Sequence, residues 1–130
     1  MYEIKETQYG LRIVTGGYLG KDELKSMSRE AGEIVGRQKK GFGIIHDMRG
    51  MFTLPPEARE IMKRNMERAK DRGLGRVAHI LDDAIATLQF KRLANEAGIA
   101  DTTRNIDAGS VSDCERAALD WVVKGIDPDK

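Results

Sequence analysis

Two short apolar runs, each closed by an aspartate and each followed by a helical stretch, limit what this chain can become. They are Phe42-Gly43-Ile44-Ile45-His46-Asp47 and Arg76-Val77-Ala78-His79-Ile80-Leu81-Asp82-Asp83. A buried strand followed by a helix, given twice, implies parallel strands joined by crossover helices. In such sheets the loops after the strands form the crevice where ligands usually bind. The pattern therefore sets an architecture and marks the edge where a site belongs. It names no reaction.

The rest of the chain extends this frame. Tyr2 to Thr7 and Leu11 to Val14 read as a hairpin around Gln8-Tyr9-Gly10, where glycine supplies a positive φ at the turn. A helix is expected from Lys21 to Arg37, burying Leu24, Met27, Ala31, Ile34 and Val35. Arg37-Gln38-Lys39-Lys40 falls at its end, where cations complement the dipole. The second helix runs from Pro56 to Asp71, with Ala58, Ile61, Met62, Met66 and Ala69 inward. Proline suits its first turn, and Thr53 is a candidate to help cap it. The third helix covers Ala84 to Ala97, burying Ile85, Leu88, Phe90 and Leu93 and ending at Gly98. Thr103 to Asp107 reads as a polar edge strand. Ser112-Asp113-Cys114-Glu115 has the form of a capping box before a last helix that buries Ala117, Ala118, Trp121 and Val122. The expectation is an α/β fold: a mixed, mostly parallel five-stranded sheet with an N-terminal β-hairpin and four flanking helices. It forms a single domain over residues 1–125, with 126–130 a frayed tail.

Composition narrows the function classes. At 130 residues, 40% hydrophobic and 33% charged, the chain can hold one core and does not read as disordered. A net charge of +1 gives no electrostatic reason to expect nucleic acid or an anionic membrane. No stretch approaches a bilayer span or an apolar signal segment, so no integral membrane segment is expected. Cys114 is the only cysteine, which excludes an internal disulfide and suits a cytoplasmic location.

Candidate chemistry centres on the strand-end acids. Asp47, Asp82 and Asp83 could meet at one edge and hold a divalent cation. Strand-end aspartates more often bond loop N–H groups and cap the next helix. A response-regulator phosphoacceptor needs its acidic pair near the first parallel strand and a lysine after a later one, and neither is present. His46 and His79 sit at matching points of their strands, with no further metal ligand at suitable spacing. Alternation puts His46 and Asp47 on opposite faces. Cys114 has no predicted histidine neighbour, and no nucleophile elbow, P-loop or dinucleotide fingerprint occurs. Met48, Met51, Phe52 and Leu54 are apolar residues in a loop, so an exposed patch there would mark an interface or a homodimer seam.

With these elements in order, the chain resembles the STAS/Sec14-related domain proteins, the SpoIIAA-like bacterial relatives of anti-sigma-factor antagonists. The residues that carry the resemblance are Gly43-Ile44-Ile45-His46-Asp47-Met48-Arg49-Gly50-Met51-Phe52, Arg76-Val77-Ala78-His79-Ile80-Leu81-Asp82 and Ala117-Ala118-Leu119-Asp120-Trp121-Val122. The resemblance implies a mixed sheet flanked by helices, often dimeric, with a regulatory or binding role toward a protein or a lipid-like apolar ligand. In anti-sigma-factor antagonists a phosphorylatable serine opens the helix after the acid-ended strand. Here that region reads Thr53-Leu54-Pro55-Pro56-Glu57, so the serine switch is missing unless Thr53 replaces it.

The reading that results is a non-enzymatic STAS/SpoIIAA-like regulatory or binding module, homodimeric and without a cofactor. Its ligand or partner site is expected at Asp47, Arg49, Met51, Phe52, Thr53 and Asp82. Arg49 is the residue suited to an anionic group, its ordinary alternative being an ion pair with Asp82 or Asp83. Two other readings stand beside it: a divalent-metal-dependent enzyme using the strand-end aspartates, and a phosphoprotein switch at Thr53.

Overall fold

A computed structural model describes residues Met1–Lys130. Two antiparallel strands, β1 (Tyr2–Glu6) and β2 (Gly10–Thr15), open the chain. They are followed by α1 (Lys21–Val35), β3 (Gly43–Asp47), α2 (Pro56–Asp71), β4 (Val77–Leu81), α3 (Ala84–Ala97), β5 (Thr103–Asp107) and α4 (Cys114–Lys124). A single 3-10 turn at Ala100–Thr102, not foreseen from the sequence, leads into β5. The expected order of strands and helices is therefore observed, including the polar fifth strand.

The strands lie in the order β1-β2-β3-β4-β5, with all pairs after the hairpin parallel. Successive crossovers between adjacent parallel strands share one hand, which puts α1, α2 and α3 on the same face. Their core joins Leu24, Met27, Met62, Met66, Phe90 and Leu93 to Ile13 and Leu81 of the sheet and to Met48 just after β3. α4 covers the other face, where Ala118, Trp121 and Val122 pack on Ile45, Ala78, Ile80 and Ile106. The interior strand β4 is buried at every residue, as expected of a parallel strand covered on both sides. Trp121 closes its side by donating its indole N–H to the Val77 carbonyl at 3.0 Å.

Several local expectations need correction. Gly10 begins β2 rather than centring the turn. At φ 148° it lies where an added Cβ would overlap the Gly43 carbonyl, so glycine allows β2 and β3 to approach. The turn itself is held by Thr7, whose hydroxyl accepts from the Gly10 N–H at 3.1 Å. α1 stops at Val35, two residues early, so the basic run follows the helix instead of ending it. Arg37 and Gln38 bond the Glu6 carboxylate. α2 starts after Pro55, with no side-chain cap from Thr53. Asp113, not Ser112, caps α4, accepting from the Arg116 N–H at 3.1 Å. Ile85 and Leu88, expected inside, are 68% exposed, and α3 instead turns Ala86, Phe90, Leu93, Ala94 and Ala97 inward.

Candidate functional site

The two faces of β3 carry different chemistry. Side chains alternate along a strand, so Arg12 of β2 and Asp47 of β3 point toward α4, while Thr15 and His46 point toward α1 and α2. On the α4 side, Asp47 accepts from Arg49 through both carboxylate oxygens, at 3.0 Å from Nε and 2.7 Å from Nη2. The Arg49 backbone N–H adds a third bond at 3.1 Å. Arg12 Nη2 lies 3.3 Å from the same carboxylate and 2.7 Å from Glu115 Oε1 on α4. Arg49 Nη2 reaches Glu115 as well, at 3.1 Å. Two arginines and two acids thus alternate, each cation shared between both anions. Burial pushes the Asp47 carboxyl up, but the side-chain and backbone donors of Arg49 and the charges of Arg49 and Arg12 hold it below the ordinary carboxylate range. Hydrogen bonding to Asp47 correspondingly raises the Arg49 guanidinium.

The loop after β3 is tied down on both sides. Gly50, at φ 76°, turns its N–H onto the Asp82 carboxylate, 3.1 and 3.2 Å from the two oxygens. The Phe52 N–H donates to the Gly17 carbonyl at 2.9 Å. Gln89 of α3 clasps Leu54 by both of its backbone groups, at 2.9 and 3.0 Å. Met48, Met51 and Leu54 are thereby buried, and Phe52 alone of the loop's large apolar residues faces water, 63% exposed. Thr53 is exposed and its hydroxyl makes no hydrogen bond within the chain. Asp83 caps α3 by accepting from the Ala86 N–H at 2.8 Å. Ile85 and Leu88 of that helix line a groove with Pro56, Arg59, Glu60 and Arg92 between α2 and α3. In it the buried Nε of Arg59 has no hydrogen-bond partner.

On the opposite face His46 and His79 are register partners, their rings 6.0 Å apart and edge-on. Phe90 meets both rings edge-on, at 6.2 and 5.5 Å. Burial, aided by the neighbouring His79 and opposed by Asp47, pulls His46 down to about 3. Burial likewise pulls His79 down to about 4, opposed by a hydrogen bond with Asn105. Both rings are neutral at physiological pH.

Of the expected site residues, Asp47 and Arg49 form one cluster. Asp82 lies nearby as an anchor of Gly50, and Phe52 and Thr53 stand at the surface. Met51 has left the surface for the core, where its sulfur accepts from the Thr15 hydroxyl at 3.0 Å. Arg49 pairs with Asp47 and Glu115, not with Asp82 or Asp83. The three aspartates each have a separate structural task, and no group of three His, Cys, Asp or Glu side chains is placed to hold a metal ion. Sequence reasoning missed Arg12 and Glu115. Arg12 was within reach, being the outward residue of a strand next to β3, whereas nothing local ties Glu115 to Asp47. The Arg59 groove was also missed, because Ile85 and Leu88 were assigned to the core.

These features define an α/β fold of the SpoIIAA type: a five-stranded mixed sheet, antiparallel only at its opening hairpin, with four helices. Among solved structures, the chain is similar to the anti-sigma factor antagonist SpoIIAA in its unphosphorylated form, with a TM-score of 0.59 and 9% identity over 89% of this chain and 96% of that one. It is also similar to an anti-sigma factor antagonist from Mycobacterium paratuberculosis, with a TM-score of 0.57 and 12% identity over 92% of this chain and 94% of the other. No protein-family model matches the sequence, and no curated protein matches it. No helix is long and apolar enough to cross a membrane.

Proposed function

We propose that this chain is a non-enzymatic regulatory module that docks a partner protein at the strand-end edge, with Phe52, Ile85 and Leu88 as apolar anchors. The observation that carries the reading is the groove between α2 and α3. Two leucine-sized side chains are exposed there beside a buried Arg59 Nε that lacks an acceptor. Exposed apolar residues rimmed by polar ones mark interaction surfaces, and charged residues rim this one. The partner that fits is a regulatory protein presenting an apolar segment with one carboxylate, to pair with the half-buried Arg59 guanidinium, which has no acid within ion-pair distance. The fold supports this, since both structural neighbours are anti-sigma factor antagonists.

In this reading Asp47, Arg49 and Asp82 hold the docking loop in place. Their charges are already engaged with neighbours, which argues against a divalent cation or a reaction at this edge. Thr53, exposed beside Phe52, is where a phosphate would interfere with docking. The reading places the protein in the cytoplasm, where a lone thiol stays reduced.

Photo-crosslinking from position 88 in the native cell, read by mass spectrometry, tests the proposal. One regulatory protein should be captured, and a Leu88→Glu chain of unchanged circular dichroism should lose it in an in vitro binding assay. Light scattering sets the competing occupant. A dimer abolished by Leu88→Glu would replace the partner protein by a second copy of this chain.

A further inference from the structure

A second site lies at the other end of the sheet. The first residues of β2, β3 and β4 leave a cavity of about 120 Å³ beneath the second halves of α1 and α2. It exists because α1 is thin there. Ala31 and Gly32 carry too little side chain to reach the sheet, and a Cβ added at Gly32 would meet nothing within 4 Å. Ser28 and Asn65 bridge the two helices over it, 2.7 Å apart. Twelve of its 18 lining residues are hydrophobic, and a small apolar molecule packed against them would gain contacts that these walls do not make with one another.

The floor is not wholly apolar. His46 and His79 both line it. The Thr15 hydroxyl donates to Met51 Sδ at 3.0 Å, so His46 Nε2, 3.0 Å from that oxygen, must be the donor between them. That fixes the His46 tautomer. His79 has no such arrangement. It is 3% exposed, its Nδ1 and the Oδ1 of its register partner Asn105 have no partner but each other, and its Nε2 makes no hydrogen bond. With its proton on Nδ1 toward Asn105, the ring keeps Nε2 as an acceptor beside the cavity.

We propose that this cavity binds a small uncharged monocyclic aromatic molecule carrying one hydroxyl, of the phenol class, with the hydroxyl on His79. Size sets the ring, since a cavity of roughly 150 Å³ accepts benzene and excludes long acyl chains. Three methionines, Met27, Met62 and Met66, supply flexible thioether walls that yield slightly and pack well against an aromatic ring. The absence of charge follows from the floor, which offers no cation. Arg68 stands at the rim, committed to Asn65 at 3.1 Å and to the Arg64 carbonyl. The hydroxyl follows from His79, because the remaining nitrogen of a neutral imidazole accepts one hydrogen bond from an O–H donor. This site is separate from the proposed docking edge, and neither proposal depends on the other.

Titration of the full chain with phenol, benzene, benzoate and decanoate, followed by methionine-methyl NMR, tests the inference. Phenol should shift the Met27, Met62 and Met66 signals saturably and leave Met1 unmoved. Its affinity should exceed that of benzene by about fivefold, the value of one neutral hydrogen bond, with benzoate and decanoate weaker still. His79→Leu should remove the preference for phenol over benzene while keeping both bound. Ala31→Met, filling the void, should abolish binding. Phenol affinity unchanged in His79→Leu, tighter binding of decanoate than of phenol, or no saturable shift up to the solubility of phenol would each overturn it.

Discussion

On one side of β3, His46 lies among the rings of His79 and Phe90, neutral and without a countercharge. One residue later, on the other side, Asp47 is ionised and shared between two arginines. Their burial is nearly the same, 4% and 6% exposed, so depth alone does not explain the difference. What differs is the supply of partners. The α4 face receives Arg12 from β2, Arg49 from the loop and Glu115 from the helix, while the α1–α2 face receives methionines, aromatics and alanines. A buried charge persists only where its neighbours replace the lost water. The histidines adopt the other solution and give up the charge.

The severest way to break this contrast is to put a charge on the face without partners. His79→Glu should destabilise the domain by more than about 3 kcal/mol in urea unfolding, since no cation reaches that position. A loss under about 1 kcal/mol would mean that water already hydrates this face. Removing the charge from the supplied face should cost less. Asp47→Ala leaves Arg12 and Arg49 facing Glu115 alone, and about 2 kcal/mol should be lost, because both guanidiniums retain solvent contact. Asp47→Asn, keeping the shape and some acceptors, should lose less than Asp47→Ala.

The smallest effect is in the pH dependence. Unfolded histidine titrates near 6.5, whereas His46 and His79 are pulled to about 3 and about 4 in the fold. The unfolded chain therefore binds more protons, and the stability due to neutral burial is complete above about pH 6.5 and lost as pH falls toward 4. Between pH 7 and pH 6 the loss should be about 1 kcal/mol, read as a falling melting temperature. His79→Leu should roughly halve that slope. An unchanged slope would show that His79 does not titrate with folding.

Much of this was legible in the chain. The strand-to-aspartate junctions, the hairpin and the helix spans Pro56–Asp71 and Ala84–Ala97 follow from periodicity and from proline and glycine placement, which are local properties. Asp47 and Arg49 stand out in the sequence by their place at a strand end, but their pairing does not, the ordinary partner expected for Arg49 being Asp82 or Asp83. Glu115 was not legible, since it lies 66 residues from Arg49 in sequence. Ile85 and Leu88 misled for a different reason. Apolar spacing on a helix shows that a face is apolar, but not whether anything covers it, and here Ile85 and Leu88 stay exposed in the groove beside the first turns of α2. The capping of α4 by Asp113 instead of Ser112 turned on one residue of register, below what sequence patterns resolve.

By itself the sequence determined the kind of fold, the edge where loops gather, and the opposite facing of His46 and Asp47, because helix and strand periods act on neighbours in the chain. The tertiary structure decided which groups became partners across long separations. It gave Asp47 two arginines and His79 none, it buried Met51 and exposed Leu88, and it left a cavity beneath Ala31 and Gly32. Those outcomes depend on how far each helix reaches over the sheet, a distance set by packing between elements and written in none of them alone.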